Sequence, residues 1–461
     1  MIETKEEVLE SVLNRAINKA EKEKRKQLVS VTKKIEAVDP LHFFEAAKQL
    51  GKNRSFWSST AEDFFMVGVG ATYKIEATDN RFKETNEQWQ RVKQQAIIHN
   101  PYEKPGTGLV AMGGMAFDPD KARTLLWDNF SDSEFTVAAY MLTKHEDEYY
   151  LTMNVHVSEN DRTSDLTNQL NKKVETLLGN DVNIPTNTVI LDKYEIEPDK
   201  WKQTVQFATE QIKTSEVEKI VLSRELRVKL NRKAQISTVL HDLLETQTNS
   251  FVFAFERGED CFVGATPERL IKIQEDHLLS TCLAGTAPRG NTLSEDKLLA
   301  DNLLEDDKNR SEHDFVVKMI EEAISPYCST INVPREPIIY PLKNLQHLYT
   351  PVTAIVSPDV NMFDIIKQLH PTPALGGVPR EKSLQFIREH ELLDRGWYGA
   401  PVGWLDHNNN GEFAVAIRSG LIQGDEASLF AGCGVVRDSD PEEEYEETNI
   451  KLLPMLTVLG G

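Results

Sequence analysis

Four groups of residues in this chain could do chemistry. Lys219 opens the run KIVLSRELRVKL, whose other residues are mostly apolar. A lone lysine there ordinarily snorkels outward. A buried one is pushed down from its reference pKa of about 10.4 by desolvation and can act as a base. Glu268, in FVGATPERL, follows an apolar strand on a turn marked by glycine and proline. The plain reading is a solvated acid; the chemical one is a general acid with a raised pKa. Acids recur in two distant helical stretches. In NRSEHDFVVKMIEEAI, Ser311 suits an N-cap and puts Glu312 in a first turn. In PEEEYEETNIKL, Glu444, Glu447 and Lys451 share one helix face, while Glu442 and Glu443 read as solvated. Carboxylates from two distant helices suit a hard cation such as Mg²⁺, which keeps several waters and takes few protein ligands. No His/Cys cluster has zinc spacing. Last come the glycine-punctuated runs LHPTPALGGVPR, RGWYGAPVGW, FAVAIRSG and AGCGVVRDSDP. There Arg418, together with Lys451 downstream, is a candidate to grip carboxylates, against a structural ion pair as the competing reading.

These residues need elements to hold them. The spacing of Val8, Leu9, Val12, Leu13 and Ile17 predicts an amphipathic first helix. FFMVGVGATYKI from Phe64 and FTVAAYMLT from Phe135 have strand character. GTGLVAMGGMAF from Gly106 is not followed by a helix with the lysine and Ser/Thr of a phosphate loop, which favours a buried glycine-rich strand. A polar stretch from Asn183 to Asp199 separates residues 1–195 from residues 196–461. A helix over Trp201–Lys213 leads into the Lys219 strand, and helices and strands then interleave with turns at 288–290 and from His407. The pattern predicts an α+β, mixed α/β fold: large antiparallel or mixed sheets in a two-layer core covered by helices.

The 461 residues are 40% hydrophobic, enough for a large core. With 73 acids against 52 bases the net charge is -21, which repels nucleic acid and anionic membrane. The four cysteines show no C-x-x-C spacing and fit a reducing, cytoplasmic compartment. The N-terminus has no apolar signal region, and no apolar run reaches the length of a membrane span.

Taken in order, EKIVLSR, GATPERL, LAGTAPRG, SEHDFVV, HPTPALGGVPR, AIRSG, AGCGVV and EEYEETNIKL resemble the chorismate-utilising enzymes over about Trp201 to Leu456. That family includes isochorismate and salicylate synthases and the large subunits of anthranilate and aminodeoxychorismate synthases, and the resemblance implies the fold of anthranilate synthase component I. It implies that residues 196–461 form a catalytic module to which 1–195 adds a helix and strands. It implies Lys219 as the base that activates water, Glu268 as the acid that protonates the departing hydroxyl, and Mg²⁺ held by Glu312 and Glu447 with Glu444 in support. It also implies chorismate held by Tyr398, Arg418, Lys451 and the backbone near Gly432, with Gly285, Thr286, His347, Ala374 and Leu375 lining the ring.

Two positions choose among members. Ala374 stands where the aminating members carry threonine, and Ala284 where aminodeoxychorismate synthases carry a lysine nucleophile. Water is then the nucleophile, and isochorismate the expected product of a reversible reaction on the way to menaquinone. Salicylate synthase, a siderophore-pathway isochorismate synthase and a glutamine-dependent subunit are the alternatives. A monomer or homodimer is expected, with chorismate as the small-molecule partner and no nucleic-acid or membrane partner.

Overall fold

The computed structural model describes residues 5–51, 53–179, 188–342 and 345–461. Residues 183–187 of the polar stretch lie outside them. Among the described residues, thirteen strands form one sheet and ten form a second. Both are antiparallel except where Gln27–Ile35 runs parallel to Ile97–His99. Each sheet is assembled from both ends of the chain. In the larger, Phe251–Arg257 pairs with Arg54–Ser59. In the smaller, Pro401–Asp406 pairs with Val110–Met115.

The period-two alternation of these strands sends aromatic side chains inward. Trp57, Phe253, Phe255 and Phe262 of the larger sheet meet Val402, Trp404 and Met112 of the smaller in one buried cluster, which Trp127 completes from the short 3-10 helix Leu125–Trp127 and Trp397 from a turn. Helices cover the outer faces. Lys5–Glu23 buries Leu9, Val12, Leu13 and Ala16 beside the larger sheet, and Asp307–Ile324 buries Val316 and Ile320 in the cluster that includes the smaller sheet's strands. The fold is mixed α/β with two large sheets, as the pattern predicts.

The apolar segments from Phe64 and Phe135 each contain two strands rather than one. Phe64–Val69 belongs to the larger sheet and Tyr73–Ala77 to the smaller; Ser133–Val137 belongs to the smaller and Tyr140–His145 to the larger. Gly70, at φ 70°, turns the first of these corners. Hydrophobic composition continues through both bends because the strands on either side are buried, Ile75, Phe135 and Val137 in one cluster and Phe65, Val67, Tyr140 and Leu142 in another. The glycine-rich run does form a tightly packed strand: a Cβ on Gly113 would lie 1.9 Å from the Glu134 carbonyl oxygen.

Candidate active site at the seam between the sheets

Twice the chain crosses from one sheet to the other beside the same cavity. Asp260–Thr266 of the larger sheet passes through Pro267 and Glu268 into Arg269–Gln274 of the smaller. Gly411–Val415 of the smaller passes through Arg418 into Ser419–Gln423 of the larger. The crossings are bonded to each other: Val415 N donates to Glu268 O at 3.0 Å, and Ala265 N donates to Arg418 O at 3.1 Å. Glu268 and Arg418 therefore sit on a doubly pinned seam rather than on free turns. Arg418 has φ 52°, an uncommon left-handed backbone for a residue with a side chain. Such conformations persist only where the surroundings enforce them.

The cavity at this seam measures about 520 Å³ and is lined by Lys219, Glu268, Gly285, Thr286, Glu312, His347, Ala374, Leu375, Tyr398, Arg418, Gly432, Glu444, Glu447 and Lys451. Every site residue expected from the sequence thus faces one space. Lys219 begins the strand Lys219–Leu230, and Gly434 on the neighbouring Glu426–Val435 makes room for its stem, since a Cβ there would lie 2.5 Å from Lys219 Cε. Lys219 Nζ donates to Glu312 Oε1 at 2.7 Å. Glu312 lies one turn deeper in its helix than Ser311 as N-cap would put it. Asp306 is the cap, accepting from Asn309 N at 2.7 Å, so Asp307–Ile324 has already started when the chain reaches Ser311.

Pro441–Val458 presents Glu444, Glu447 and Lys451 on one face, and Glu442 and Glu443 lie exposed as expected. Lys451 Nζ pairs with Glu447 and donates to Gly432 O at 2.9 Å. Glu444 accepts from Ser439 Oγ at 2.6 Å, while its Oε2 is buried with no hydrogen-bond partner among the described residues. No three carboxylate, imidazole or thiol groups among those residues converge as a ready-made ion cage. Glu312 and Glu447 are engaged by lysines instead.

The electrostatics differentiate these groups. Burial pushes the Glu268 carboxyl up to about 7, with Thr372 and Lys219 pulling the other way. Burial, with the Arg418 charge second, pushes His347 down to about 4, so its ring is neutral at pH 7. Its Nδ1 meets Thr286 Oγ1 at 3.0 Å and Gly285 O at 3.3 Å. A β-bulge at Gly285, φ 76°, brings these two groups within its reach. The Tyr398 phenol is pushed up to about 12 by burial and keeps its proton to donate. Burial lowers Arg418 without approaching neutrality. No side-chain hydrogen bond or ion pair engages its guanidinium among the described residues, so it is free to take an anion.

Residues not anticipated also face the cavity: Val221 and Ser223, Asn309, and the apolar Ile417 and Phe430. Val221 and Ser223 follow Lys219 at the two-residue period of a strand, a signal that was present in KIVLS. Thr372, in HPTPALGG, accepts from Leu375 N and Gly376 N at 2.9 Å through its carbonyl and so builds the turn that presents Ala374 and Leu375. Nothing in its spacing links it to Glu268.

The sequence pattern of the family described as "Chorismate binding enzyme" matches residues 15–460. The chain belongs to the chorismate-binding enzyme family. It is 42% identical over 468 aligned positions to the isochorismate synthase MenF of Bacillus subtilis, covering 100% of this chain and 99% of that one. It is 33% identical to the salicylate biosynthesis isochorismate synthase of Pseudomonas aeruginosa, covering 98% and 95%. Its fold matches that of MenF, the menaquinone-specific isochorismate synthase of Escherichia coli, with a TM-score of 0.81 at 24% identity, over 97% of this chain and 100% of that one. No helix among the described residues is long and apolar enough to cross a membrane.

Proposed function

We propose that this member of the family is an isochorismate synthase that adds water at C2 of chorismate and removes the hydroxyl at C4. The observation that carries the reading is the end-to-end similarity to an isochorismate synthase. It is supported by a cavity that holds a lysine and a raised carboxyl and has alanine at both positions where amine-using relatives differ, Ala374 and Ala284.

Lys219 takes a proton from water as its oxygen bonds to C2. Glu268, protonated near pH 7 because burial disfavours its ionised form, gives its proton to the C4 hydroxyl, which leaves as water while the ring double bonds shift. Substrate and product are isomers, so the same groups serve in reverse with roles exchanged. For Lys219 to reach water, its contact with Glu312 Oε1 has to open. Arg418 and Lys451 hold substrate carboxylates, Tyr398 donates to one, and neutral His347, with Gly285, Thr286, Ala374, Leu375 and Gly432, shapes the ring's surroundings.

Mg²⁺ fits the donor set. Glu312 and Glu447 are carboxylates already paired with cations, and the orphaned Oε2 of Glu444 is a spare acceptor nearby. Those residues would hold it, and bound there it neutralises the ring carboxylate. One chain supplies the whole cavity, so a monomer or a homodimer would serve. Four free cysteines suit a cytoplasmic setting, and the menaquinone route is the pathway we favour. Lys219→Ala and Glu268→Gln are expected to lower kcat about a hundredfold or more while chorismate still binds. Turnover within tenfold of the parent in either variant removes that residue from the acid–base pair.

A further inference from the structure

We infer that the buried pair Glu391–Arg395 is a positioning device that holds the substrate wall of the cavity; the inference rests on the functional reading above. It takes the place of a strand that is missing from one edge of Lys219–Leu230. That strand is paired along its other edge, from Ile220 to Lys229, with Glu426–Val435. On the edge in question, Gly377–Val378 pairs with Lys219 and Ile220, and Ile190–Glu195 pairs only from Leu226 onward. Val221 to Glu225 have no strand partner on that edge among the described residues.

Side chains and one loop carbonyl fill the gap. Arg395 Nη2 donates to Val221 O at 2.8 Å, and Ser223 N donates to Glu391 Oε2 at 2.7 Å. Trp201 Nε1 donates to Ser223 O at 3.1 Å, and Val221 N donates to Gly376 O at 3.4 Å. Arg395 Nη1 reaches across to Leu375 O at 2.9 Å. The two side chains clasp each other through Nε–Oε1 and Nη2–Oε2, both 2.7 Å, at 2% and 0% exposure.

Neither charged group lines the cavity, yet the three residues whose backbone they hold do: Val221, Ser223 and Leu375. A fourth follows, since Tyr398 N donates to Arg395 O at 2.8 Å. A desolvated ion pair adds little net stability over apolar residues of the same volume. What apolar residues cannot supply here is directed bonds to two facing walls at once, which fixes the distance between Leu375 and the Lys219 strand. The geometry makes Glu391 and Arg395 positioning residues for chorismate.

The test is chorismate affinity, measured by calorimetry at a temperature well below unfolding, for the full chain and for Arg395→Met, Arg395→Lys and Glu391→Gln. Misplacing groups by about an ångström costs roughly a hundredfold in rate in well-organised sites; the same walls contact bound chorismate, so affinity is expected to fall at least about tenfold in each variant that folds by circular dichroism. Lysine keeps the charge opposite Glu391 but not the planar fork, so Arg395→Lys is expected to keep the fold and still lose affinity. Affinity within twofold of the parent in Arg395→Lys and Glu391→Gln would overturn the inference and leave the pair as packing alone. Because the readout is binding, it stays decisive even if product analysis were to overturn the isochorismate reading.

Discussion

Glu268 carries the sharpest consequence at the scale of single residues. Burial raises its pKa to about 7, so the folded protein binds a proton that the unfolded chain releases near the ordinary carboxylate value. Its contribution to stability is full at low pH and is lost as pH rises through about 7. Glutamine does not titrate, so Glu268→Gln is expected to gain melting temperature relative to the parent between pH 5 and pH 8. A difference constant over that range contradicts the raised carboxyl. The parent's kcat/KM is expected to decline above about pH 7 as the acid loses its proton. The identities of these groups were legible because lysine, glutamates and arginine fall in an ordered series of motifs. Their partners were not. That Lys219 meets Glu312 depends on two elements far apart in sequence, and Ser311 looked like a cap because Asp306, which caps the helix, lies outside the motif.

Elements explain why the motifs have their spacing. Lys219, Val221 and Ser223 face the cavity from one strand, and Phe430, Gly432 and Gly434 face it from the next, each at the two-residue period of a pleated strand. AGCGVV needs its second glycine because the Lys219 stem occupies the space a Cβ would take. Gly434→Ala is therefore expected to fold normally, since a flexible side chain can yield, while the displaced Lys219 costs about tenfold or more in kcat. An unchanged kcat shows that this glycine is not there for the lysine. Period and composition made the strands legible. They did not reveal that two apolar segments each cross between sheets, because both faces of the crossing are equally hydrophobic.

The molecule as a whole joins its two sequence halves by strand pairing. Phe251–Arg257 lies against Arg54–Ser59, and Pro401–Asp406 against Val110–Met115. Such pairing is non-local and leaves no mark on either strand, so the sequence suggested two segments without showing how deeply they interdigitate. Residues 196–461 expressed alone would expose the unpaired edges of Phe251–Arg257, Pro401–Asp406 and the Leu226 end of Lys219–Leu230, and an aromatic core without Trp57, Phe64, Trp127 and Phe130. That fragment is expected to aggregate, and recovery of a soluble fragment with full chorismate affinity contradicts a shared core. Net charge is also a property of the whole: at -21, the chain repels an anionic substrate over most of its surface, and the cavity offsets this where Lys219, Arg418 and Lys451 gather. The central claim concerns what that site makes. Purified protein incubated with chorismate, ammonia and Mg²⁺, and again without the metal, should give isochorismate in the first case and little or none in the second. Anthranilate or aminodeoxychorismate, or salicylate with pyruvate, would contradict it.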